Sequence, residues 1–267
     1  MNLIQKIKII IRSLFPTAAN RLLFKLRENR LSPISLPVEL VDGKKVIGLN
    51  PFEAYCEYKD LFINRIYEFS SEKKDPLIID GGAYVGFSVI YFKTLFPSAK
   101  VIAFECDPEI FKTLEKNIAD NQLSDVELVN SALAKENGEA TFFGQGTDGG
   151  SLINNSGAHT IKVKTCKLSD YLNQPVDFLK LNIEGAEFEV LAESENKLKN
   201  VSEMIIEFHS FKGEEQRLQE LLTILSRNGF RYMLNHFDYE SNLAVKPPFK
   251  IDDQTTYILL LYAKRMD

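Results

Sequence analysis

Several polar residues in this chain follow directly on short apolar runs. Asp80 follows Leu77, Ile78 and Ile79; Glu105 closes Lys100–Glu105; Asn182 closes Asp177–Asn182; His209 follows Met204–Phe208. Apolar runs of this length read as strands buried on both faces. In an open α/β sheet, the residues just past the strand ends form the ligand crevice. Asp80 also opens the segment D-G-G-A-Y-V-G, and Phe87, Ile90, Tyr91 and Leu95 then mark a helix. Gly82 and Gly86 permit positive φ and close backbone approach to a ligand. The helix start leaves N–H groups facing the same place. The spacing is D-x-G-x-x-x-G rather than the G-x-G-x-x-G of dinucleotide folds, which weighs against a nicotinamide oxidoreductase. Glu105 lies 23 residues beyond Gly82, near the roughly 20 expected of an acid that accepts both ribose hydroxyls. Together these residues point to an adenosine-containing cofactor.

A second group could move protons. Lys180, Asn182 and Glu184 alternate, so they share a face if the strand extends that far. Glu184 and Glu187 fall at an expected helix start, where acids are favoured in any case. Glu207 and His209 share a face of the next strand. A buried lysine loses its charge readily and could act as a base, or it could pair with an acid such as Glu207. His209 titrates near neutrality when unperturbed, or serves as a hydrogen-bonded structural residue. His209, Glu184 and Glu207 could contribute metal ligands, but no spacing fixes a geometry, and no metal is assigned.

The elements that must position these groups alternate along the chain. Val126–Asn130 is expected to be a third strand after Leu77–Asp80 and Lys100–Glu105. Asp107 caps a helix with Pro108 at its first position. Ala140–Phe143 and Ile161–Thr165 are strand-like and flank a Gly-, Asn- and Ser-rich loop, Gly144–Gly157. Glu184–Leu198 reads as a helix. Another, marked by Leu218, Leu221, Leu222 and Leu225, ends at Gly229. Arg231–Leu234 and Tyr257–Ala263 form a final hairpin-like pair. Alternation of this kind means a mostly parallel sheet covered on both faces, with an antiparallel last strand. Upstream, Asp42-Gly43 between Val38–Val41 and Val46–Leu49 reads as a hairpin turn. A helix is expected over Ala54–Phe69, with Tyr55 and Glu57 as candidate lid residues.

The stretches IIDGGAYVGFS, FECDP, FLKLNIEGAE (Phe178–Glu187) and IIEFH, with VKTCKLSDYL ahead of the fourth strand, occur in an order that resembles the FkbM-type family of methyltransferases. The likeness covers roughly residues 55–235. It implies a Rossmann-like class I methyltransferase fold and methyl transfer from S-adenosylmethionine to a hydroxyl oxygen. The implied acceptors are a small molecule, sugar, glycan or glycolipid. Carried over residue by residue, Asp80, Gly82, Ala83, Gly86 and Ser88 match the cofactor loop. Glu105 matches the ribose acid, and Ser131 and Ala132 match the segment near the adenine. Glu184, Gly185 and Glu187 match the acidic stretch after the fourth strand. Glu184, His209, Lys180 and Asn182 are the candidates for catalysis. The chain departs from the family pattern at Tyr84 (usually Asn), Ser169 (usually Asp) and Asn182 (usually Asp). An amide cannot act as a base. That departure keeps open a catalytically weak, methyltransferase-fold binding module of a glycan-assembly system.

The totals set outer bounds. The chain of 267 residues has a net charge of −5, which does not favour nucleic acid as a partner. Cys56, Cys106 and Cys166 are too scattered for a zinc or redox motif and fit a reducing, cytoplasmic setting. Residues 1–30 carry seven Lys or Arg against the single acid Glu28, and Leu3, Ile4, Ile7, Ile10, Ile11 and Leu14 share a helical face. Residues 1–54 are thus expected to form an extension of basic amphipathic helices and a hairpin, and 55–267 the methyltransferase domain. The helices could lie peripherally on an anionic membrane surface, or pack on the protein itself or on a second copy in a homo-oligomer.

Overall fold

A computed structural model describes residues 36–40, 42–144, 159–236 and 257–266. The helices expected over residues 2–30 lie outside them, as do nearly all of the loop Gly144–Gly157 and the segment 237–256.

The centre is a seven-stranded sheet. Its strands are β3 (Leu77–Gly81), β4 (Lys100–Phe104), β5 (Val126–Val129), β9 (Val176–Leu181), β10 (Val201–Ser210), β11 (Phe230–His236) and β12 (Tyr257–Arg265). The spatial order is β11-β12-β10-β9-β3-β4-β5. The five strands from β5 to β10 are parallel, and β12 runs antiparallel to both its neighbours. The last two strands thus pair as an antiparallel couple, with β12 wedged between β10 and β11. A short hairpin, β1 (Val38–Glu39) and β2 (Lys45–Val46), forms around the Asp42-Gly43 turn. A small sheet of β6 (Ala132–Leu133), β7 (Gly138–Gly144) and β8 (His159–Cys166) sits beyond β5.

Successive residues of the central strands feed opposite cores. Ile78, Phe178 and Ile205 pack on one face with helices α2 (Phe87–Leu95) and α3 (Pro108–Asp120). Ile79, Leu179 and Ile206 pack on the other with α4 (Glu187–Ser194) and α5 (Leu218–Arg227). This is the period-two consequence of a sheet buried on both sides. Val38, Leu40 and Val46 of the hairpin join the first core.

Three boundaries differ from the sequence reading. The helix expected to reach Phe69 begins earlier, as α1 (Pro51–Tyr58) with Asn50 as its cap, and ends in one π-helical stretch, Lys59–Ile63. From there to Pro76 the chain has no helix, and Tyr67 and Phe69 from that stretch are buried in the first core. The strand carrying Lys180 stops at Leu181, and the next helix starts only at Glu187. Residues 182–186 form a turn, with Glu184 at φ 56° and Gly185 at φ 103°. Among the described residues no helix is long and apolar enough to cross a membrane.

Candidate functional site

The carboxyl ends of β3, β4 and β9 surround a cleft. Its first wall is the glycine turn. Gly82 (φ 81°), Tyr84 (φ 51°) and Gly86 (φ 97°) all adopt left-handed backbone, which folds the chain back sharply into α2. The N–H groups of Gly82 and Ala83 both donate to the Phe104 carbonyl at 3.0 and 2.7 Å, tying the turn to β4. Gly82, Ala83 and Ser88 line the cleft. Gly86 instead serves packing, since a Cβ there would come within 2.7 Å of Leu114 on α3.

Asp80 and Lys180 are direct neighbours on paired strands. Asp80 is fully buried, and Lys180 Nζ forms a 3.0 Å ion pair with its Oδ1, off the hydrogen-bonding direction. The other carboxylate oxygen accepts from Ser88 Oγ. Lys180 Nζ also donates to the carbonyls of Gly81 at 3.1 Å and Gly82 at 2.6 Å. The lysine therefore grips the underside of the glycine turn. The acid expected to pair with it, Glu207, lies elsewhere: Glu207 accepts from Tyr67 Oη. Lys180 Nζ thus donates to the two carbonyls and stands beside Asp80 as an ion-pair partner.

Glu105 forms the second wall. Its Oε2 accepts from Tyr84 N–H at 3.0 Å and its Oε1 from Asp107 N–H at 2.8 Å. Burial pushes its carboxyl up to about 7, although those two backbone donors favour the ionised form. Asn130 Nδ2 donates to the carbonyls of Glu105 and Cys106, latching the end of β5 to that of β4. This latch brings Ser131 and Ala132 into the cleft wall.

The third wall is the turn Asn182–Glu184. Glu187, wholly buried, accepts from the N–H groups of Ile183 and Gly185 at 3.1–3.2 Å and so fixes the left-handed turn. His209 lies behind it, with Nδ1 3.1 Å from Glu187 Oε1 and Nε2 3.4 Å from Glu184 Oε1. Burial alone would lower the His209 pKa, but Glu184 and Glu187 outweigh it and raise it to about 10. His209 is thus an imidazolium at neutral pH, held between two carboxylates. It borders a second hollow, also lined by Phe188, Glu189, Phe211, Glu214 and Arg217.

Of the residues singled out in the sequence, Gly82, Ala83, Ser88, Glu105, Ser131, Ala132, Lys180, Asn182 and Glu184 meet at the one cleft. Asp80 lies beneath it, and His209 behind Glu184. Of the two candidate lid residues, Glu57 lines the cleft and Tyr55 is not among its lining residues. The sequence reading missed Tyr67, Phe104, Cys106 and Phe142, which also line it. Tyr67 comes from an irregular stretch with no periodicity, so no pattern could have singled it out.

Comparison with known proteins bears on what this cleft binds. The chain is 26% identical over 224 residues to Methyltransferase sdnD of Sordaria araneosa, covering 69% of this chain and 86% of that protein. It is 24% identical to Methyltransferase 1 of Beauveria bassiana, covering 76% and 92%. The crystal structure of Methyltransferase FkbM from Methylobacillus flagellatus superposes with a TM-score of 0.50 at 16% identity, over 77% of this chain and 47% of that one. The chain thus spans about half the length of that structure, and the likeness shows the fold. The family model of the Methyltransferase FkbM domain matches residues 80–232, from the buried aspartate beneath the glycine turn into β11. That segment is more than half of the chain, and by it the chain belongs to the FkbM family of methyltransferases, with S-adenosylmethionine as methyl donor.

Proposed function

We propose that this chain transfers the methyl group to a hydroxyl oxygen of a sugar, glycan or glycolipid acceptor. The cofactor's place in this reading is the cleft. Gly82, Ala83 and Ser88 would hold its amino-acid end, Glu105 its ribose, and Ser131 and Ala132 its adenine. The cleft fits such a group, because the left-handed turn at Gly82 brings main chain to its wall and Glu105 presents a buried carboxylate to hydroxyl donors. When bound, the cofactor supplies an electrophilic methyl on a sulfonium sulfur. The protein's task is to align the acceptor oxygen and take up its proton. Alignment alone can supply a large part of the rate.

The observation that carries this reading is Glu184. It stands in the cleft wall on a left-handed turn, with the His209 imidazolium 3.4 Å behind one of its oxygens. A carboxylate held there can accept a hydroxyl proton, and His209 fixes its orientation. The hollow beyond His209 favours a polyhydroxylated ring. Phe211 offers an apolar face, and Glu189 and Glu214 offer acceptors for hydroxyls.

The test is incubation with methyl-labelled S-adenosylmethionine and a panel of sugar acceptors. Alkali-stable label on an acceptor hydroxyl is the expected result. Glu184→Gln should slow transfer about 100-fold with cofactor affinity unchanged. Transfer only to amines, or cofactor binding with no transfer to any acceptor, would overturn the reading. The latter outcome would favour the catalytically weak binding module, which the amide at Asn182 supports.

A further inference from the structure

The amide oxygen of Asn182 is a buried acceptor with no hydrogen-bond partner. Asn182 lines the cleft, and its backbone oxygen lies directly against Gly82. A buried acceptor left unpaired is costly, so in a folded protein it ordinarily has a partner. The backbone N–H of Asn182 is already bonded to the Gly81 carbonyl at 3.0 Å, which pins the residue just past the end of β9.

A ligand in the cleft can supply that partner, and the surrounding bonds narrow which part of it. The amino-acid end of the cofactor carries an ammonium group that needs acceptors. Most acceptors of the glycine turn are already engaged. The Gly81 and Gly82 carbonyls take Lys180 Nζ. Asp80 takes Ser88 Oγ and faces Lys180. The Phe104 carbonyl takes two N–H groups. Glu105 takes the N–H groups of Tyr84 and Asp107. Lys180 Nζ already takes up the acceptors under the turn, so an ammonium is better received elsewhere on the cleft wall. Asn182 stands on that wall.

We propose that Asn182 Oδ1 accepts a hydrogen bond from the α-ammonium of S-adenosylmethionine, making this residue part of the cofactor site rather than of the proton-transfer machinery. The assignment accounts for an amide at this position. Oδ1 receives the ammonium without adding another buried carboxylate beside Asp80, and it carries no catalytic duty that would need an acid. It goes beyond the hydroxyl-acceptor reading and does not depend on it.

The test is calorimetric binding to the full chain, and it needs no acceptor substrate. The probes are S-adenosylhomocysteine, which has the ammonium, and 5′-methylthioadenosine, which lacks the amino-acid end. Asn182→Ala should weaken S-adenosylhomocysteine about tenfold and leave 5′-methylthioadenosine unchanged, the second result also showing that the variant is folded. Asn182→Asp keeps an acceptor and should bind S-adenosylhomocysteine as well as the wild type or more tightly. The proposal is overturned if Asn182→Ala weakens both probes equally or neither. It is also overturned if Asn182→Asp binds S-adenosylhomocysteine more weakly than Asn182→Ala does, since the amide N–H would then be serving the carboxylate. Selective loss in Glu57→Gln but not in Asn182→Ala would move the ammonium contact to α1 and likewise overturn it.

Discussion

The backbone oxygen of Asn182 lies so close to Gly82 that a Cβ on Gly82 would come within 1.8 Å of it. Two turns, one after β3 and one after β9, therefore touch through their main chains, and the cofactor cleft opens above the contact. Gly82 also sits at φ 81°, so two physical reasons demand glycine at one residue.

Gly82→Ala should accordingly push the two turns apart. The expected outcome is a loss of roughly 2–4 kcal/mol in urea unfolding, from backbone strain and overpacking together. Affinity for S-adenosylhomocysteine should fall more than tenfold. An alanine variant that binds with unchanged affinity would show that the contact between the turns is not needed for the cleft.

Glu105 makes cofactor affinity depend on pH. Its carboxyl is raised to about 7 by burial, and ribose hydroxyls donate to the ionised form. The dissociation constant for S-adenosylhomocysteine should therefore fall as pH rises, by up to about tenfold per unit between pH 5.5 and 7, and level off above pH 8. Stability of the unliganded protein runs the other way. A carboxyl whose folded pKa lies above its unfolded value contributes stability below the unfolded value, and that contribution is lost as pH rises through about 7. Glu105→Gln should flatten both curves, as read by calorimetry and thermal melts across the range.

His209 gives the opposite end of the pH scale. Its pKa is raised to about 10 because Glu184 and Glu187 flank it, against burial, which acts to lower it. Its contribution to stability is fully present below about pH 6.5 and is lost as pH rises through about 10, amounting to roughly a few kcal/mol. Urea unfolding at pH 7 and pH 10.5 should show that loss. His209→Gln should be less stable at pH 7 and should lack most of the difference between the two pH values.

Lys180 is the clearest case of one partner depending on another. Lys180→Met leaves the Asp80 carboxyl fully buried with its cationic partner removed and only Ser88 bonded to it, which should cost about 3–5 kcal/mol. Adding Asp80→Asn should recover a substantial part of that loss in urea unfolding. If the single variant is as stable as the wild type, the pair does not anchor the turn.

Much of this was legible before any coordinates. The apolar runs ending at Asp80, Glu105 and Asn182 named three strands of a parallel sheet, which the structure sets side by side. The D-x-G-x-x-x-G spacing named the turn between the first of them and its helix. These features are local: a buried strand must be apolar along its length, and a left-handed turn must use residues that tolerate it. The order of FLKLNIEGAE, FECDP and IIDGGAYVG then suggested the family, and the match over residues 80–232 shows it.

Partner choice was not legible, because it depends on which side chains the fold brings together. Lys180 could have paired with Glu207 by strand alternation. The register sets Asp80 directly beside it, and Glu207 is taken by a tyrosine 140 positions away. The helix expected from Glu184 starts three residues later because the carboxylate of Glu187 binds the N–H groups of the turn before it. His209 became an imidazolium rather than a neutral base because two glutamates from that turn and the helix after it converge on its ring. The sequence by itself determined the strands, the glycine turn and the acid Glu105 at a strand end, since each needs only its own neighbours along the chain. Only the tertiary structure decided which charges are paired and which polar atom is left waiting for the cofactor, because those depend on distances between segments that the chain order does not record.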